Sequence, residues 1–354
     1  TSDLGMARGA HVVVLFLESY GATAYDRADL APVIDPARAS LEAAAADTGR
    51  GAVSAFVRSP TFGGASWLAH ASLLSGIEVD DSSTYKLLLT QERDTLAHRF
   101  SRLGHRAVAV MPGLRKDWPE GRFYGFHAIL GAKALNYGGP DFGWWRIPDQ
   151  FALARLDALE LATGEGPPRF VVFPTISTHL PFRPTPPYQP DWPRLLGSDP
   201  YDGEVLARAA TKTPDWLDLG ASYADSLAYA FSYLAGYLRL RAQADLILIV
   251  LGDHQPAASV SGEGASREVP VHLITARTEI LDRLAAAGFA PGLTPKRPAL
   301  GDMHELYSLL LRALDTGRSD VTGFDTPGVN VAGTTAQFGA LHQAAHPVGV
   351  DPAR

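Results

Sequence analysis

Two carboxylates and an imidazole stand immediately after apolar runs in this sequence. Glu18 closes "HVVVLFLES" (His11–Ser19), and Asp253 and His254 close the run in "LILIVLGDHQP" (Leu246–Pro256). Two carboxylates and an imidazole suit zinc or manganese. The plain alternative is that Glu18 caps a helix and Asp253-His254 makes a turn. A second histidine, His179, sits in "STHLPF", again just after an apolar run. A hydroxyl nucleophile is offered by "SPTFGGASWLAHASLLSG" (Ser59–Gly76). Gly63 and Gly64 permit a tight turn, and "SWLAHASLL" reads as a helix with Ser66 at its start. The first turn of a helix carries unpaired N–H groups and a positive dipole end, which suit an oxyanion or phosphoryl group. A serine there is also an ordinary N-cap, and Thr61 and Ser72 are rival hydroxyls.

These side chains need strands to deliver them. Besides the first run, "RAVAVMP" (Arg106–Pro112), "RFVVFPTIS" (Arg169–Ser177), "DLILIVLGD" (Asp245–Asp253) and "VPVHLITA" (Val269–Ala276) are short, apolar and rich in β-branched residues. Such runs predict strands covered on both faces, in a mostly parallel sheet. Helical patterns lie between them. "RDTLAHRFSRLG" puts Leu96, Phe100 and Leu103 on one face, with Gly104 as C-cap. "ADSLAYAFSYLAGYLRLRA" and "MHELYSLLLRALDTG" repeat the pattern. The alternation predicts a doubly wound α/β domain. In open parallel sheets, ligands bind beyond the carboxyl ends of the strands. Glu18, His179, Asp253 and His254 are therefore expected at one edge. A stretch rich in Pro and Asp, Pro184 to Pro214, reads as a long excursion of the functional kind. Residues 1–317 are expected to form one domain. Residues 318–354, rich in Gly, Thr, Ala and Pro, read as a C-terminal tail packed on the surface.

Composition excludes several classes. A formal net charge of -7 argues against non-specific nucleic-acid binding. With no cysteine in the chain, disulfides, zinc-thiolate sites and cysteine nucleophiles are ruled out. No run reaches the 18 or so apolar residues of a membrane span. The opening "TSDLGMARGA" is polar and small and does not read as a signal peptide.

Taken in order, these motifs resemble the alkaline phosphatase superfamily in its sulfatase-like branch. The match runs from "LFLES" through the hydroxyl-headed helix ending "LLSG", then "STHLPF", "GDH" and the late "MHELYSLLLRAL" helix. The resemblance implies an alkaline-phosphatase-like α/β sandwich, with a mostly parallel central sheet flanked by helices. In sulfatases the nucleophile lies ten residues before the glycine of a "LLTG"-like ending. Ser66 lies ten before Gly76, which favours it over Thr61 and Ser72. Ser66 is followed by Trp67, Leu68, Ala69 and His70, so the arginine that sulfatases require is missing. A second set of metal ligands, as in the two-zinc phosphatases, cannot be assigned. The chain then looks most like the catalytic domains of lipoteichoic acid synthases and phosphoethanolamine transferases, with serine replacing the usual threonine. The phosphoethanolamine group usually carries a further His about a dozen residues after Asp-His, and disulfides. Neither is present, and His272, inside "VPVHLI", suits a core role.

The resemblance implies one divalent ion, zinc or manganese, held by Glu18, Ser66, Asp253 and His254. It implies transfer of a phospho-alcohol group, such as phosphoglycerol, from a phosphodiester to a glycan or lipid acceptor. Hydrolysis at the same site is the alternative, and sulfatase chemistry a distant third. His179 is the expected acid and base. The segment "GLRKDWPEGRFYGFH" is expected to bind substrate through Arg115, Lys116, Arg122 and Trp118, with Tyr137, Trp144 and Trp145 as further groove candidates. Expected partners are a phospholipid head group or glycan, not nucleic acid. The expected location is the outer (periplasmic) face of the cytoplasmic membrane, reached through a segment absent from this chain.

Overall fold

The computed structural model describes residues 2–143, 146–164 and 166–317. Within them one sheet of eight strands forms the centre. In chain order these are β1 (His11–Leu17), β2 (Gly51–Arg58), β3 (Arg106–Met111), β4 (Ala128–Gly131), β5 (Arg169–Pro174), β6 (Leu246–Gly252), β7 (Glu268–Thr275) and β8 (Ala290–Pro291). Their order across the sheet is β4-β3-β5-β1-β6-β7-β2-β8. The five strands from β4 to β6 in that order are mutually parallel. β7 runs antiparallel to both β6 and β2, and β8 antiparallel to β2.

All five apolar runs are strands of this sheet, and the sheet is mostly parallel. The run at Val269–Ala276 is nonetheless reversed, so its carboxyl end points away from the edge where β1 and β6 finish. β2 and β4 went unread in the sequence. "GAVSAFVR" is half small residues, and β4 has only four residues, so neither carries a strong local strand pattern.

Continuous apolar strands are needed because both faces are covered. Val13, Leu15 and Leu17 of β1 pack with Val171, Leu248 and Val250 under the helices Ala31–Asp47 and Gly220–Leu240. Val12, Val14 and Phe16 pack with Phe170, Ile247 and Ile249 on the opposite face. The helices Ser66–Ser75, Leu96–Arg102 and Glu305–Ala313 close that second layer. Side chains alternate between faces with period two, so each strand feeds two cores at once. None of the helices among the described residues is long and apolar enough to cross a membrane. The expected tail 318–354, and Trp144 and Trp145, lie outside the described residues.

Candidate metal centre and nucleophile

Register delivers the acidic pair. β1 and β6 are parallel neighbours, and Leu17 lies beside Gly252. The next residue of each strand, Glu18 and Asp253, therefore emerges at the same edge. Gly252 has a separate task. A Cβ there would sit 1.7 Å from the carbonyl oxygen of Tyr20, where the chain leaving β1 crosses β6. That close crossing explains why "GDH" begins with glycine. On the other side of β1, Phe16 lies beside Pro174 at the end of β5. The Glu18 N–H then donates to Thr175 Oγ1 at 3.1 Å, tying the two strand ends together.

The candidate nucleophile arrives from the other core layer. Ser66 is the first residue of helix Ser66–Ser75, and Ala65 before it is held left-handed at φ 58. A non-glycine residue in that region is uncommon and mildly strained. The turn aims the serine back at the strand ends. Ser66 Oγ donates to Glu18 Oε2 at 2.8 Å and lies 3.1 Å from His254 Nε2. His254 Nε2 is 3.3 Å from Glu18 Oε1. The rival hydroxyls are engaged elsewhere. Ser72 Oγ donates to the Leu68 carbonyl and accepts from Val79 N–H. Thr61 is buried beside Ser59, with its N–H on Ser59 Oγ.

One ligand atom from each of Glu18, Asp253 and His254 lies within 4.8 Å of the others, and all three residues are buried. Their orientation is fixed from outside. Asp253 Oδ1 accepts from the N–H groups of Ser19 (2.9 Å) and His254 (2.7 Å). Asp253 Oδ2 is buried without a hydrogen-bond partner. His254 Nδ1 lies 2.7 Å from the Gln255 carbonyl; donation there leaves the Nε2 lone pair facing Glu18 and Ser66. This is how ligating histidines are oriented in known metal sites. The donor set and the orphaned Oδ2 both fit a divalent cation.

Electrostatics agree. Burial, then the charge of Glu18, raises the Asp253 carboxyl above its ordinary range. Burial alone would lower His254, but Asp253 and Glu18 push it up to about 10. Burial likewise opposes ionisation of Glu18, yet its carboxyl is held well below the ordinary range, chiefly by His254. Two buried carboxylates facing one imidazole demand positive charge.

His179 hangs on a loop with its own anchor. The carboxylate of Asp149 accepts the N–H groups of Ile176 (2.9 Å) and Ser177 (2.7 Å), while Ser177 Oγ accepts the N–H of Asp149 (3.1 Å). Burial outweighs these bonds and pushes the Asp149 carboxyl up to about 6. The His179 N–H donates to the Ile176 carbonyl, and its Nδ1 lies 2.7 Å from the Leu180 carbonyl. His179 is near enough for its charge to help lower Glu18.

Arg115 and Lys116 are exposed on the loop after β3, at the same sheet edge as the cluster. Trp118 is half-buried, its ring stacked on Tyr124 with centroids 5.4 Å apart. Arg122 lies a few residues further along, in the short helix Gly121–Tyr124. It lines a depression with Arg93, Asp94 and His98, which shares Leu89 and Glu120 with the cleft around Trp67 and Trp118. The ring of Tyr137 packs on Phe151 while its hydroxyl donates to the Pro140 carbonyl. His272 is a core residue, as its apolar context suggested: it is buried between Ser54 Oγ (2.6 Å) and the Tyr20 hydroxyl (2.9 Å). Two residues of the site escaped sequence reading. Asp149 follows no strand and opens a helix, so nothing local marks it. His70 lies one helical turn after Ser66, which puts both on one helix face. Its Nε2 is 3.8 Å from the unpartnered Asp253 Oδ2, and its ring rests against Phe16.

Neither a protein-family model nor a curated protein matches the sequence. Solved structures do match in fold. The lipoteichoic acid synthase LtaP from Listeria monocytogenes superposes with a TM-score of 0.55 at 13% identity, covering 92% of this chain and 76% of that one. The phosphoglycerol transferase GacH from Streptococcus pyogenes, solved with sn-glycerol-1-phosphate, gives 0.52 at 14% identity, covering 92% and 85%. An alkaline phosphatase superfamily protein from Vibrio parahaemolyticus gives 0.53 at 16% identity, covering 89% and 69%. The resemblance drawn from the motifs thus returns in the fold, which is alkaline-phosphatase-like.

Proposed function

We propose that this chain is a metal-dependent phosphotransferase. In this reading Ser66 takes a phospho-alcohol group from a phosphodiester and passes it to a glycan or lipid acceptor outside the cytoplasmic membrane. The observation that carries the reading is Ser66 Oγ at the head of a helix, 2.8 Å from Glu18 Oε2 and 3.1 Å from His254 Nε2. The solved neighbours, a lipoteichoic acid synthase and a phosphoglycerol transferase, support the class of reaction.

Glu18, Asp253, His254 and Ser66 would hold one divalent ion, zinc or manganese. When bound, such an ion offsets the charge of the phosphodiester and lowers the pKa of the serine hydroxyl. Ser66 Oγ, its proton already lost to solvent, attacks phosphorus as the bond to the first alcohol breaks, and it is released unprotonated again in the second displacement. His179 gives the departing oxygen its proton. The phosphoryl group remains esterified to Ser66, where the first-turn N–H groups of the helix face its oxygens. The acceptor alcohol gives its proton to His179 and attacks, and the Ser66–phosphorus bond breaks. Two in-line displacements give net retention at phosphorus. Arg115 and Lys116, exposed at this edge, are candidates for the non-bridging oxygens.

The test uses bis-p-nitrophenyl phosphate, p-nitrophenyl phosphate and p-nitrophenyl sulfate with added zinc or manganese. The diester should be turned over fastest. A phosphoryl adduct should be trapped by mass spectrometry on the peptide holding Ser66. Added glycerol should divert product from hydrolysis to transfer. Preference for the sulfate, or an adduct on Thr61, would overturn the reading. Glycerol without effect would make the chain a phosphodiesterase of the same mechanism.

A further inference from the structure

Beside the cluster lies a cleft of about 350 Å³. Its walls include Trp67, His70, Leu89, Leu114, Trp118 and Val172. Ligand sites commonly start at about 300 Å³. Three of its walls are continuous with the site. Trp67 follows Ser66 directly. His70 is the residue whose Nε2 stands 3.8 Å from Asp253 Oδ2. Pro174, at the end of β5, precedes the Thr175 that anchors the Glu18 backbone. The lining is apolar between those points. Aromatic rings stack along one side, Trp118 on Tyr124 and near Phe126. Trp67 keeps 36% of its surface in solvent. Polar residues, Ser82, Lys86 and Glu120, also line the cleft, and Ser82 and Lys86 are exposed.

A bare glycerol, hydroxylated at every carbon, would gain little from such walls. From this we infer that the cleft binds a hydrocarbon substituent carried by the phosphoester, one end of which is held at Ser66. The inference rests on the proposed function and narrows its substrate to an ester with an apolar arm. Trp67 and His70 form the shared wall, so the phosphoryl group and the arm are read by adjoining faces of one helix.

The experiment measures binding by calorimetry and does not depend on turnover. The probes are methyl, butyl, hexyl and octyl phosphate, each below its micelle concentration, with the metal-loaded protein. Affinity should rise roughly fourfold per methylene until the cleft is filled, then level off. Leu89→Asp should abolish that gain while leaving methyl phosphate affinity unchanged, because a carboxylate in the cleft repels hydrocarbon but does not touch the cluster. Leu114→Gln serves as a second variant should the first fail to fold. A flat series in the unaltered protein would overturn the inference. So would a gain that persists in both variants, since the chain would then bind elsewhere. Diester turnover is measured on the same samples. Its absence alongside a chain-length gain would sink the phosphotransferase reading and leave the cleft as a binding site.

Discussion

His254 and His272 are both buried to 1% exposure and lie on or just beyond neighbouring strands, yet their surroundings treat them oppositely. His272 is lowered to about 3, by burial first and then by the charge of Arg38, while its bonds are to the neutral hydroxyls of Ser54 and Tyr20. His254 is raised to about 10 although burial pulls the other way, because Asp253 and Glu18 face it. Burial of an imidazole is therefore not what makes a site. Two carboxylates left with one imidazole and one hydroxyl make it, since that set demands a cation. The antiparallel reversal of β7 separates the two cases: β6 ends at the cluster, whereas His272 lies within a strand that leads away from it.

The largest expected effect tests the hydroxyl that completes the cationic region. Ser66→Ala should lower diester turnover by several orders of magnitude, as loss of an attacking group commonly does. Metal content by elemental analysis should stay near one ion per chain, because Glu18, Asp253 and His254 remain. Retained turnover would mean another group attacks.

Next come the histidines themselves. His254→Gln should strip the metal from the purified protein, measured by the same elemental analysis, whereas His272→Gln should leave it bound. Metal loss in the His272 variant would erase the contrast between the two regions.

The same pair differs in pH dependence. The folded protein resists protonating His272 until about pH 3, while the unfolded chain takes up that proton near pH 6.5. The stability this confers is full above pH 6.5 and is lost progressively as pH falls towards 3. At 1.36 kcal/mol per unit, the loss from this group is about 3 kcal/mol by pH 4. Urea unfolding of His272→Gln should show a correspondingly shallower decline between pH 6.5 and 4. Parallel curves for the two proteins would show that His272 does not titrate as described.

The smallest effect concerns His70. Removing its ring takes away a neighbour of the orphaned Asp253 Oδ2, and outer groups of this kind are commonly worth ten- to a hundredfold in metal affinity. His70→Ala should weaken competition against a chromogenic chelator about tenfold. Unchanged affinity would reduce His70 to a wall of the cleft.

Much of the candidate site was legible because its side chains end strands. A strand buried on both faces is a continuous apolar run, and Glu18, Asp253 and His254 mark where the runs stop. Ser66 was legible as a helix head, favoured over Thr61 and Ser72 by its spacing to Gly76, and it is the hydroxyl that contacts Glu18 and His254. Asp149 and His70 were not legible. Each works through a partner more than twenty residues away, and neither breaks a local pattern. β2 was missed because small residues carry little strand preference, and the direction of β7 because an apolar run reads the same either way.

Local pattern in the sequence thus determined five of the eight strands, where they stop, and that acidic and imidazole groups wait at the ends of three of them. Those properties follow from side-chain period and burial, which a chain carries in its own order. The tertiary structure alone decided that Leu17 lies beside Gly252, so that Glu18 and Asp253 share an edge. It alone turned Ser66 towards them and set the apolar cleft against the same helix. Register and layer packing join segments far apart in the chain, and only the closed sheet brings them within bonding distance.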